Sequence, residues 1–394
     1  MSHKTLTGPG IGLALAAALA LAPAPALADL MIVGGDNKIG FDDTGVKLLA
    51  PGNDVVSVID IGTDPESPRI IANLALMNSL FGPPTNLVIT PDERLALVAN
   101  AMKWVADGDG WKPKPDNRIH VIDLSGDRPR LIDTVVVDRQ PSGMAINRKG
   151  DLALVAHRAG NSIGVLAIEG RTVRLIQTVE IGEQVAAVAI APDGRRALVA
   201  KFPGHKIAVL DIADGRVSHD PALDMPVGLW PYNIKITPDG TLALSADNGN
   251  KGRSDGHVDT VSVIDLTTTP PRVIDRVVVG DAPEGLAISP TGRIAVAILL
   301  RGSAAVPPES WFYNRNGSVV VLEIDGKSVR RIGEIEVGGL PEGVVFSPDG
   351  SHIYIGNFVD SNISILKVDG TEVTNTGRTL ALPAPPGSMR GTTP

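Results

Sequence analysis

An all-β fold, a single seven-bladed β-propeller of four-stranded antiparallel blades, is what this 394-residue sequence predicts, and three observations predict it. A Pro-Asp-Gly-like turn recurs at Pro91, Arg148, Pro192, Pro238, Pro290 and Pro348. Each turn leads into alternating runs rich in Val and Ile, such as Val261-Ser-Val-Ile-Asp265 and Val273-Ile-Asp-Arg-Val-Val-Val279, which read as short antiparallel strands. A seventh unit is split between the two ends of the chain, which closes a ring and removes the exposed edges of a linear array.

Taken in order, residues 1–28 read as a signal peptide. Lys4 precedes an apolar run from Ile11 to Ala22, and Ala26-Leu-Ala28 is a small-x-small cleavage site. That run is too short to span a bilayer, and no later segment reaches the length needed, so no transmembrane anchor is expected after cleavage. Residues 29–394 are expected to form the propeller, in the periplasm or secreted. Leu30 to Ile61 supplies the second and third strands of the split blade and Arg69 to Leu76 its fourth. Six complete copies follow. Gly387-Ser-Met-Arg390, placed after a proline as Ser142-Gly-Met-Ala145 is, supplies the missing first strand.

Composition narrows the function. The 36 Lys and Arg against 44 Asp and Glu, with no basic block, argue against a nucleic-acid partner. With no cysteine there is no disulfide, thiolate zinc site, iron–sulfur cluster or attached c-type haem. Apolar residues reach 43% although only 13 residues are aromatic, so the blades are built from Ala, Val, Ile and Leu.

The Pro-Asp-Gly turn, the Ala96-Leu-Val-Ala-Asn100 segment after it and the Val-Ile-Asp third strand resemble the repeats of the YVTN family of β-propellers. The resemblance covers essentially all of the chain after the leader, although Leu97 and Leu198 stand where the name-giving Tyr would. It implies the propeller fold. Relatives of that family include lactonase-like hydrolases and subunits of periplasmic oxidoreductases.

Strand parity places the Pro-Asp-Gly turns on one face and the long insertions on the other. Second-to-third loops are expected at Met102–Asn117, Asn248–His257, Leu300–Gly317 and Asn37–Pro51. Loops on a rigid scaffold commonly carry binding residues. Eleven of the 13 aromatics map to that looped face, among them Trp104, Trp111, Trp230, Tyr232, Trp311 and Tyr313, which suggests a ligand or partner surface.

The channel mouth on the same face gathers polar groups. The last residues of the second strands include Asn100, His157, Lys201, Asp247 and Asn357, and two innermost strands begin Pro-Glu284 and Pro-Glu342. Asn100 and Asn357 also suit local turn capping. His157, Lys201 and Asp247 break the repeat and are the stronger site candidates. Two chemistries stay open. Oxygen ligands could hold Ca²⁺ or Mg²⁺, polarising a carbonyl and activating water. Alternatively His157, Glu284 or Glu342 could serve as a metal-free base with Lys201 at an oxyanion. Gly160-Asn-Ser-Ile-Gly164 has the letters of a nucleophile elbow but joins two strands, so it reads as a chance match.

The expected function is an exported propeller binding a small organic ligand on its looped face, with a lactonase-like hydrolase as the enzymatic form. The alternatives are a non-catalytic scaffold for a periplasmic partner protein, or an oxidoreductase subunit that borrows its cofactor from another chain.

Overall fold

The computed structural model describes residues 1–3, 29–42, 45–126, 128–303 and 306–392. Apart from residues 1–3, the expected leader lies outside them. Seven four-stranded antiparallel sheets form a ring, one of them extended by the two-residue strand Met225–Pro226. The only helical turn among the described residues is the single 3₁₀ turn Pro221–Leu223. No helix there is long and apolar enough to cross a membrane.

Blade 1 is the split one. Its strands lie in the order Pro386–Gly391, Leu30–Gly35, Val55–Asp60, Arg69–Leu74, so the last strand of the chain is the innermost strand of the first blade. The seam pairs Met31 with Gly391 and Val33 with Met389. Glu93, in the first turn of blade 2, ties both halves: its Oε1 accepts from the Leu30 amide at 2.9 Å and from the Thr392 hydroxyl. The innermost strands of blades 2 to 7 are Leu87–Ile89, Pro141–Ile146, Val188–Ile190, Pro231–Ile236, Pro283–Ile288 and Pro341–Phe346.

Apolar side chains from adjacent blades interlock because each strand alternates its faces. Leu154 and Val165 of blade 3 pack with Val188, Val199 and Leu210 of blade 4, for example. The Asp that ends each Val-Ile-Asp run is a tie. Asp265 accepts from the Thr267 amide and hydroxyl at 2.9 and 2.7 Å, and Lys327 of the next blade reaches it at 2.8 Å. The Lys327 bond, followed by Thr267, holds Asp265 down to about 2.

The first-to-second turns form the lower face. In them Thr237 or Ser347 donates to Asp239 or Asp349 at 2.5 Å, and the following glycine takes a positive φ. Gly150, at φ 76°, faces Pro91 of the preceding blade, and a Cβ there would lie 2.9 Å from the proline Cδ.

The opposite, upper face is less regular. The expected loop Met102–Asn117 is instead mostly strand: Leu95–Asp107 and Gly110–Asp123 continue past a bulge as a hairpin, pairing Met102 with Pro115 and Asp107 with Gly110. Backbone groups projecting beyond the blade are satisfied by extending the ladder. The expected loop Asn37–Pro51 likewise contains a two-stranded hairpin, Ile39–Asp42 with Gly45–Leu48.

Candidate functional site

The upper mouth of the channel opens into a cavity of about 810 Å³. Trp230, Tyr232, Glu284 and Glu342 line it, with Arg158 and the hairpin residues Phe41 and Met102. Glu284 and Glu342 are second residues of the innermost strands of blades 6 and 7, and Tyr232 holds the same place in blade 5. In these three adjacent blades that position opens the innermost strand at the rim, which brings the side chains together.

Arg158 follows the second strand of blade 3, and its position is fixed from two sides. Its Nη1 donates to the Tyr232 hydroxyl at 2.7 Å. Its guanidinium carbon lies 4.4 Å from the centre of the Phe202 ring and 5.3 Å from that of Tyr232. The cation is therefore pre-oriented by an aromatic bracket on blades 4 and 5.

Both glutamates are buried, 8% and 3% exposed, and Glu342 Oε2 has no hydrogen-bond partner among the described residues. Burial pushes Glu284 up to about 8, opposed by the Arg158 charge. Burial raises Glu342 well above the carboxylate range, and repulsion from Glu284 adds to it. The two titrate as a pair in which Glu284, nearer the cation's influence, ionises first. Burial also pushes the Tyr232 hydroxyl up to about 12. One cation, one ionisable carboxyl and one retained acid thus share the wall of a largely apolar chamber.

The other residues singled out by sequence are elsewhere. His157 is fully buried within its own blade, its Nδ1 3.0 Å from the Ser162 hydroxyl, and burial lowers it to about 4. Lys201 is ion-paired with Glu183 at 2.7 Å and Asp224 at 2.5 Å. Asp247 accepts from the hydroxyls of Ser262, Ser245 and Thr260 at 2.6, 2.9 and 3.0 Å, and burial raises it to about 6. Asn100 donates to Asp116; Asn357 accepts from the Gly338 amide at 2.9 Å and donates to Asn362 at 2.7 Å. None of these five lines the cavity. His157, Asp247 and Asn357 each bind a side chain at the start of the neighbouring third strand, one capping role met by different residue types.

Many of the upper-face aromatics bury one another. Trp104, 7% exposed, stacks on Phe81 at 5.9 Å, and the Lys38 ammonium sits 5.1 Å from its ring centre. Trp111 packs against that cluster. Trp311 is 76% exposed beside Phe312, and Tyr313 is at the edge of exposure, 36%. Among the described residues no group of three or more His, Cys, Asp or Glu could hold a metal ion.

No protein-family model matches the chain, and no curated protein matches it. Solved structures share its fold. A protein of Bacteroides uniformis named as a candidate 6-phosphogluconolactonase aligns at TM-score 0.71 and 13% identity, over 92% of this chain and 99% of that one. The periplasmic gluconolactonase of Pseudomonas aeruginosa aligns at TM-score 0.67 and 17% identity, over 93% and 99%. The hydrazine synthase of Kuenenia stuttgartiensis aligns at TM-score 0.57 and 20% identity, over 75% and 79%. At such identities the likeness shows a seven-bladed propeller and does not carry chemistry from one chain to another.

Proposed function

We propose that this chain is an exported hydrolase of a sugar-type lactone, working in the upper cavity and built on YVTN-like repeats. The observation that carries the reading is the pair of buried carboxyls, Glu284 and Glu342, facing one chamber with Arg158. The gluconolactonase name of a structural neighbour agrees with it, and the leader-like residues 1–28 agree with export.

In this mechanism Arg158 receives the lactone carbonyl oxygen and stabilises the oxyanion that forms when water adds. Glu284, in the ionised fraction that grows as pH nears 8, takes the proton of that water as its oxygen bonds to the carbonyl carbon. The ring C–O bond then breaks, and Glu342, the retained acid, gives its proton to the leaving oxygen. One water is consumed and an open hydroxy acid leaves. Proton transfer from Glu284 to Glu342 restores the starting pair.

The test is hydrolysis of δ-gluconolactone and a panel of γ- and δ-lactones, followed by acid release. Turnover above the spontaneous rate, reduced about 10²-fold or more by Glu284→Gln, supports the reading. An absence of turnover with every lactone defeats it. The exposed Trp311 favours a second reading, a docking surface for a periplasmic partner protein.

A further inference from the structure

The innermost strands carry a second irregularity, on which the lactone reading does not depend. The residue one before the end of each strand is Val or Ala in five blades, as at Ala145, Ala287 and Val345. In blade 5 it is Lys235, and in the closing strand of blade 1 it is Arg390. Both line a cavity of about 160 Å³ at the lower mouth of the channel, where Arg148 also stands. No Asp or Glu lines this cavity, although the chain has more acids than bases. It shares no lining residue with the upper chamber.

The cations there have donors to spare. Arg148 uses Nη2 on the Pro238 carbonyl at 2.8 Å, and Arg390 uses Nη2 on the Met144 carbonyl at 3.0 Å. Arg390 Nε is buried without a partner. Lys235 forms no hydrogen bond or ion pair among the described residues; its remaining exposure is to the cavity it lines. Burial, with the neighbouring Arg390 charge, drives Lys235 well below the usual lysine range, and burial lowers Arg390 to about 10. The nearby hydroxyls of Thr237 and Ser347 donate to Asp239 and Asp349 in their own turns. Converging cations with no counter-charge destabilise a fold unless an anion joins them.

We propose that the lower mouth is a second binding site, taking a small oxyanion between Lys235 and Arg390 with Arg148 at its edge. Charge-assisted hydrogen bonds from the ammonium and guanidinium supply the recognition. The oxyanion is either a free ion or the phosphate or carboxylate end of a larger molecule.

Isothermal titration of the full chain separates these. One arm uses inorganic phosphate and sulfate, the other glucose 6-phosphate and gluconate. The expected result is saturable binding, weakened at least about tenfold by Lys235→Met and by Arg390→Lys and unchanged by Glu342→Gln. Tighter binding in the second arm makes the oxyanion the end of a larger ligand, and equal binding makes it a free ion. Lys235→Met removes an unpaired cation, so it should melt no lower than wild type in anion-free buffer. Phosphate should raise the melting temperature of wild type and not that of the variant. The proposal is overturned if none of the four anions binds saturably, if Lys235→Met binds as wild type does, or if Glu342→Gln abolishes binding. Lactone turnover enters none of these outcomes, so this site and the upper one fail separately.

Discussion

The two ends of the channel are built from the same seven strands and differ in kind. At the upper end the walls carry two buried acids and a bracketed arginine, under a rim of hairpins and aromatic side chains. At the lower end tight turns abut one another, and the cavity between them holds cations and no acid. Repetition supplies the strands at both ends. The ends differ where single blades depart from their siblings, at Glu284 and Glu342 near the start of the innermost strands above and at Lys235 and Arg390 near their ends below.

The contrast can be broken most sharply at Arg158. Arg158→Met leaves a residue able to pack between Phe202 and Tyr232 but removes the charge, so lactone turnover should fall about 10²–10³-fold with the melting temperature little changed. An equal loss of stability and turnover would make Arg158 a structural strut. At the lower face the large effect should be on stability alone. Gly150→Ala forces a side chain into a positive φ, with its Cβ 2.9 Å from Pro91 Cδ, and should cost about 1–2 kcal/mol in denaturant unfolding. Turnover of the folded fraction should not move.

The smallest effect is a pH slope. Glu284 keeps a proton in the folded chain up to about 8, whereas the unfolded chain releases it near the ordinary glutamate value of 4.5. The folded state binds more protons across that window, so stability is greatest below it and declines as pH rises through it. The slope is at most about 1.4 kcal/mol per pH unit for one proton. Glu284→Gln should flatten it in thermal melts across the window; an unchanged slope would show that Glu284 is not a buried acid.

The architecture was legible because the turn chemistry repeats. Pro-Asp-Gly marks the first-to-second connection at Pro192, Pro238 and Pro348, with one-residue variants of it at Pro91 and Pro290, and the proline before Gly387 identified the closing strand. The looped face was legible from parity, but its hairpins were not, since Met102–Asn117 lacks the alternation of a buried strand. Glu284 and Glu342 could be placed at the mouth because a rim position recurs. Arg158 could not, because it lies one residue past a strand and its direction depends on rings from two other blades. His157 and Asp247 stood out for breaking the repeat, yet each is matched to a side chain on the adjoining strand. The cations of the lower mouth did have a signal: Lys235 and Arg390 stand where the other blades have Val or Ala.

The seam of blade 1 gives the ring a single latch. Its strands come from opposite ends of the sequence, so their pairing has the longest loop to close and is expected to form late in folding. Glu93 holds the Leu30 amide and the Thr392 hydroxyl with one oxygen, and Arg390 reaches from the same closing strand to the Met144 carbonyl of blade 3. Springing the latch therefore dismantles the lower mouth at the same moment. An anion seated there would act as a bolt across it, making ring opening harder in proportion to its concentration.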